Sequence, residues 1–237
     1  MEKKLAIVFG GSRGIGRACV HALADDGYDV AWTYVSRPSL RVAAAGQRAY
    51  PADVRDPQDV ARVFSDARRD FGAGPSCVIA NAGINVPPAS VAEFELSRFR
   101  DLIEVNLVGA FNVLSEAARQ TLDGGSIIGI TTSMVRVAVQ GGGPYTASKA
   151  AVESLLRSMA KELSGRGIRV NGVAPGPVET DLFNAGKTDQ AKARAAALSP
   201  FDRIGTPDEI ATVAAFLASE RASWISGQIV QPNGGMV

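Results

Sequence analysis

The first sixteen residues constrain the chain most. An apolar run at residues 5–9 has no polar alternation, as in a parallel strand buried on both faces. It meets Gly10-Gly11-Ser12-Arg13-Gly14-Ile15-Gly16, and then Ile15, Ala18, Cys19, Ala22 and Leu23 fall at helical spacing. Strand, glycine turn and helix in that order form the context in which a glycine motif has physical meaning. Glycines let the backbone turn tightly and approach a pyrophosphate, while the helix start offers unpaired N–H groups. Gly10, Ser12, Arg13, Gly14, Ile15 and Gly16 are therefore candidate cofactor-binding residues. The spacing is Gly-x3-Gly-x-Gly, not the commoner G-x-G-x-x-G, so a plain glycine turn is the competing explanation.

Strand and helix then alternate to the end. Residues 29–34 read as a second strand, 47–51 as a third, 77–80 as a fourth, 126–131 as a fifth, 168–174 as a sixth and 225–231 as a last. Helical patterns lie between them, including a long one over 97–120. This rhythm predicts a doubly wound α/β parallel sheet of about seven strands, a Rossmann fold, in a single domain over residues 1–237.

Strand ends then matter, because ligands of such sheets sit at the carboxyl edge. The second strand ends in Tyr34-Val35-Ser36-Arg37, with no acidic residue to bind a free ribose hydroxyl. Tyr34, Ser36, Arg37 and Arg13 suit a 2′-phosphate, so NADP(H) is the expected cofactor. Asp53-Val54 follows the third strand. Asp53 is placed to meet an adenine amino group, although capping of the helix begun by Pro57 competes. Asn81-Ala82-Gly83 ends the fourth strand and Pro175-Gly176-Pro177-Val178-Glu179-Thr180 follows the sixth. Asn106 is polar within a greasy stretch and must be hydrogen-bonded if buried, as a tether or as part of a site.

Tyr145 and Lys149 stand four apart at the start of another helix and share one face. By themselves they are an ordinary exposed pair. A free phenol titrates near ~10, and a cation ~4–5 Å away supplies about 3–4 kcal/mol towards its ionisation. Lys149 is therefore expected to pull Tyr145 towards neutrality.

A formal charge of +1 offers no basic field for nucleic acid or an anionic membrane. One histidine and two separated cysteines, Cys19 and Cys77, make a metal site improbable. No apolar run approaches the ~20 residues of a membrane span, no signal-peptide pattern is present, and a reducing cytoplasmic setting fits.

The collected residues resemble the single-domain branch of the short-chain dehydrogenase/reductase family over nearly the whole chain. The resemblance rests on the Gly10/Gly14/Gly16 turn, Asp53-Val54, Asn81-Ala82-Gly83, Asn106, Tyr145-x-x-x-Lys149, and Pro175-Gly176 with Thr180. It is strongest to bacterial 3-oxoacyl-thioester reductases and carbonyl reductases. It implies that Tyr145 is the catalytic acid/base and that Lys149 binds the nicotinamide ribose. Asn106 would hold a helix kink and a relay water, while Val178 and Thr180 would seat the carboxamide. A serine would polarise the substrate carbonyl. Its usual register, thirteen before the tyrosine, holds Thr132, and one deletion in the loop brings Ser133 into place; Ser133 is the expected donor, with Thr132 the alternative. Phe9 stands where the family has threonine, removing a hydroxyl tether to the Asn81 loop. The implied activity is NADP(H)-dependent reduction of a moderately apolar ketone. Loops 86–94, 135–143 and 183–200 would choose the substrate. A non-catalytic NADP(H) sensor on the same fold is the other reading. The surplus apolar surface of 97–120 calls for a homo-oligomer, a tetramer in preference to a dimer.

Overall fold

The structure is a computed structural model that describes residues 4–36, 45–137, 139–185 and 187–237. Among these, seven parallel strands form one sheet in the order β3-β2-β1-β4-β5-β6-β7. They are β1 (Lys4–Phe9), β2 (Tyr28–Tyr34), β3 (Gln47–Pro51), β4 (Pro75–Ala80), β5 (Ser126–Ile130), β6 (Arg169–Val173) and β7 (Ile229–Val230). The order reverses between β1 and β4, which opens a crevice at their carboxyl ends.

The unbroken apolar runs have a direct cause. Leu5, Ile7 and Phe9 enter one core with α2 (Pro57–Phe71), α4 (Ala110–Gln120) and α5 (Gly143–Glu162), while Ala6 and Val8 enter the other with α1 (Gly14–Asp25) and α8 (Pro207–Ala218). Ile127 and Ile128 divide in the same way. Each large aliphatic side chain buried so contributes roughly 1.5–3 kcal/mol.

Two expected elements differ. The stretch 97–120 is not one regular helix: α3 (Leu96–Ile103) passes through a π-helical turn, Glu104–Gly109, into α4. At its end Gly109 lies so close to β3's exit loop that an added Cβ would stand 2.6 Å from Val54 Cγ2. The last strand shrinks to Ile229–Val230, because Gly227 takes a left-handed φ of +74° just before it. Residues 180–203 hold two short helices, α6 (Asp181–Asn184) and α7 (Asp189–Ala196), with Thr180 and Thr188 capping them. Arg37 lies outside the described residues.

Candidate active site

The glycine turn is built for close approach. Gly16 packs against the turn itself, where a Cβ would lie 2.1 Å from Gly10 O, so no side chain fits there. Asn81 Nδ2 donates to Gly10 O at 2.8 Å, and Gly10 N donates to Thr33 Oγ1 at 2.9 Å. The tether expected to be lost with the Phe9 departure is thus supplied by other side chains, and Phe9 packs its ring against Phe64 in the core. The start of α1 has no side-chain cap and no acidic residue in its first turn. Its N–H groups and positive dipole end stay available to an anion, and a dinucleotide pyrophosphate fits this donor set. Arg13 is exposed and in no ion pair among the described residues; Ser36 is exposed and Tyr34 half-buried. Ser12 and Ile15 are half-buried in the same turn. Thr180 leans over it, its Cγ2 3.3 Å from the Cβ position of Gly14, while its hydroxyl accepts from Phe183 N at 3.0 Å. Val178 is buried beside it, bridged to Gly205.

Asp53 does not cap a helix; Asp56 does so, accepting from Gln58 N at 2.8 Å. The Asp53 carboxylate is instead gripped by Arg55, whose Nε stands 3.0 Å from both oxygens. That guanidinium holds the Asp53 carboxyl below the usual carboxylate range. Sequence reasoning missed Arg55, although two residues' separation was the available signal. Val54 is buried next to Gly109.

Asn106 is fully buried in the π-helical turn. Its Oδ1 accepts from Ile84 N at 2.8 Å and its Nδ2 donates to Ile84 O at 2.9 Å, so it clamps the loop after β4. The same amide reaches Ser148 Oγ at 3.3 Å, and Ser148 donates to Tyr145 O at 2.7 Å. A single buried side chain therefore joins β4's exit loop to the first turn of α5. Ala82 and Gly83 thread between them: a Cβ on Gly83 would come 3.1 Å from Asn106 Oδ1 and 3.3 Å from Lys149 Nζ.

Tyr145 and Lys149 project from α5 as expected, but their electrostatics differ from the expectation. Lys149 is buried and donates to Ile130 O at 3.0 Å. Burial lowers its ammonium to about 8. Tyr145 is half-buried as a residue, yet its hydroxyl end is desolvated enough to be pushed up to about 12. In the protein alone, then, desolvation outweighs any pull of Lys149 on the phenol. Tyr145 keeps its proton at neutral pH, which is the state a proton donor needs. The hydroxyl has no hydrogen-bond partner among the described residues.

The hydroxyl of Ser133, the expected carbonyl donor, is already engaged within the protein. It is fully buried, donates to Ala174 O at 2.7 Å and accepts from Asn233 Nδ2 at 3.1 Å. Its one proton is committed to a backbone carbonyl, so it has none to offer a substrate. Thr132, one residue earlier, accepts from Met134 N at 3.3 Å, and its own proton has no acceptor among the described residues. Asn233, a hundred residues away, escaped sequence reasoning altogether. Pro175 and Gly176 serve the same knot: Pro175 O accepts from Ser133 N at 2.9 Å, and Gly176 N donates to Pro232 O at 3.2 Å. His21 is exposed and accepts from Arg17 Nε at 3.4 Å, away from these groups.

Residues 10–237 match a family model described as enoyl-(acyl carrier protein) reductase. The chain is 38% identical over 254 residues to an Arabidopsis thaliana protein described as an NADPH-dependent aldehyde reductase-like protein, chloroplastic, covering 99% of this chain and 94% of that one. It is 35% identical over 243 residues to a Staphylococcus aureus 3-oxoacyl-(acyl-carrier-protein) reductase, covering 98% of each. Among solved structures, a blue fluorescent protein from a metagenomic library, in complex with NADPH, superposes with a TM-score of 0.90 at 33% identity, covering 99% of this chain and 98% of that one. With the glycine turn, the Asn106 clamp and the Tyr145–Lys149 pair on one sheet edge, the chain belongs to the short-chain dehydrogenase/reductase family, oxidoreductases of carbonyl and alcohol groups.

Proposed function

We propose that this chain, as one domain, is an NADP(H)-dependent reductase of uncharged, moderately apolar ketones and aldehydes. The observation that carries the reading is Tyr145, a protonated and unpartnered phenol on the carboxyl side of the sheet beside a buried lysine. When bound, the nicotinamide cofactor supplies the hydride. Tyr145 gives its proton to the developing alkoxide, and in the oxidative direction takes it back. Lys149 lends a cation whose position is fixed by Ile130 O. Asn106 fixes the first turn of α5 against β4's exit loop, which orients Tyr145 before any substrate arrives. The start of α1 and the glycine turn hold the pyrophosphate, Asp53 and Val54 flank the adenine, and Arg13 with Ser36 meets the 2′-phosphate. Val178 and Thr180 seat the carboxamide.

Thr132 donates the hydrogen bond that polarises the substrate carbonyl, and Ser133 is its structural neighbour. Thr132→Val should lower kcat by about 10²–10³-fold, the usual cost of losing one oxyanion donor. Ser133→Ala should cost about 1–3 kcal/mol of stability, because Ala174 O and Asn233 lose a buried partner, while turnover per folded molecule stays near the parent's. Steady-state rates and urea midpoints of both variants check this; the opposite pattern returns the role to Ser133.

The substrate class rests on the loop walls. Val91 is 81% exposed beside Gly143, and Val139 and Leu198 are 41% and 47% exposed on the other two loops. NADPH consumption against a 3-oxoacyl thioester, a diketone, an aromatic ketone and an aldehyde tests it, repeated with NADH. Two charged hydrogen bonds to the 2′-phosphate predict NADPH faster by roughly 10²-fold. Equal rates would remove the phosphate site and leave the catalytic one. No turnover despite NADPH binding would overturn the reductase reading.

The same reading includes a homotetramer. Leu107, Val108, Phe111, Ala151, Ser154 and Leu155 line an apolar groove of about 490 Å³ between the π-helical turn and α5. Phe111 is half exposed there, and a second copy would cover it. Trp224, 99% exposed near β7, offers a further apolar contact for pairing the pairs. A monomer by light scattering would remove this part. Cys19 and Cys77, buried and unpaired, agree with a reducing compartment such as the cytoplasm.

A further inference from the structure

We infer that the ion pair between Arg136 and the buried Glu153 shapes the loop over residues 134–137 and 139–142 and so selects among carbonyl substrates; this rests on the reductase reading above. Glu153 is 2% exposed and follows Tyr145 and Lys149 along one stripe of α5, at intervals of four. Its Oε1 accepts from Arg136 Nη1 at 2.6 Å and from the Thr131 hydroxyl at 3.1 Å. Arg157 Nη1 stands 3.7 Å from Oε2. One carboxylate thus ties together α5, the end of β5 next to Thr132, and the first residue beyond the 3-10 turn Ser133–Val135. A carboxylate this buried needs its partners, and Arg136 holds it with the shortest contact.

Beyond Arg136 the chain runs into Gly141-Gly142-Gly143, with Gly141 at φ +76°. Besides one turn bond, from Gly142 N to Val139 O at 3.0 Å, the described residues are held at both ends. At the far end, Ala89 N donates to Gly141 O at 3.3 Å and Thr146 Oγ1 donates to Gly142 O at 3.1 Å. At the near end, Arg136–Glu153 is the side-chain anchor. The same loop carries Met134 against Gly142 and the exposed Val139 of the apolar wall described above. Neither Arg136 nor Glu153 is placed among the reacting groups. They are positioning residues, and their loss should alter the fit of the substrate rather than the chemistry.

Arg136→Met should raise KM for a bulky aromatic ketone by about tenfold and flatten its preference over a small diketone, with kcat within about threefold. NADPH affinity, read by fluorescence, should not move, and Arg136→Lys should restore most of the KM. Amide exchange over 137–142 should quicken by about tenfold in Arg136→Met, with the remainder of α5 unchanged. If that variant does not fold, Arg136→Met with Glu153→Gln leaves no unpaired buried charge and should show the same KM and exchange changes. Equal losses for every substrate together with weaker NADPH binding would reduce the pair to a fold element and overturn the inference. So would an unchanged exchange rate over 137–142. A parent enzyme without turnover would defeat the reductase reading instead, and the exchange measurement would still decide whether Arg136 holds the loop.

Discussion

Tyr145→Phe is expected to lower kcat by about 10²–10⁴-fold, the range a positioned general acid contributes. It should leave NADPH affinity and thermal stability near the parent's. The structure gives the reason for both halves. The hydroxyl makes no hydrogen bond among the described residues, so its removal breaks none. Burial pushes the phenol up to about 12, so the proton is held throughout the neutral range and is available only to a substrate oxygen that becomes basic enough to take it. The loss of NADPH absorbance with the best ketone, set beside NADPH binding by fluorescence, separates the two. A variant that turns over normally would remove Tyr145 from the mechanism.

Lys149→Met is the second large effect, and its signature lies in pH. The ammonium falls from 10.5 to about 8 on burial, which corresponds to about 3 kcal/mol against the charged folded form. Between pH 8 and 10.5 the unfolded chain binds more protons at this position than the folded one, so the parent gains stability as pH rises through that window. Methionine has no such proton. The variant should therefore be as stable as the parent or more so at pH 7, and should lose about 3 kcal/mol relative to it by pH 10.5, roughly 6–12 °C in Tm. The abandoned Ile130 carbonyl costs the variant at both pH values and cancels from the comparison. Turnover should fall by at least about 10²-fold below pH 8, where the parent still carries the cation near the phenol, and the gap should narrow above it as the parent's own ammonium loses its proton. Urea midpoints of both proteins at the two pH values test the stability claim. A constant difference would mean that Lys149 carries no burial cost.

These two residues were legible in the sequence as a pair, but their charge states were not. Spacing shows that Tyr145 and Lys149 share a face; it says nothing about how much water reaches them, and desolvation reversed the expected direction for the phenol. The glycine turn was legible because Gly10, Gly14 and Gly16 lie within one local unit. Asn106 was recognisable as a buried amide needing partners, yet the π-helical turn around it was not. An apolar pattern as dense as Leu102, Ile103, Val105, Leu107 and Val108 marks burial without recording how many residues complete a turn. The partners of Ser133 were not legible, for a longer-range reason. Its hydroxyl is claimed by Ala174 O and Asn233, partners that only the closed sheet brings to it. Glu153 carried a signal that went unread: a third position on the Tyr145–Lys149 stripe.

The Ser133–Asn233 contact also bears on when the molecule becomes active. Asn233 Oδ1 accepts from Gly235 N and Met236 N, so the segment folds upon itself as it docks. Ser199 Oγ meanwhile donates to Gly234 O at 2.6 Å and fastens the return arm of residues 180–203 to the same place. The strand that carries Thr132 and the arm that frames the cleft are thus both locked by residues 233–236. These contacts join positions 100 and 35 residues apart. Each closes a loop whose entropy is lost before the contact rewards it, so they form after the local strand–helix units have paired. The sheet can therefore assemble before the cleft is framed, and chemistry is the last property a refolding molecule regains.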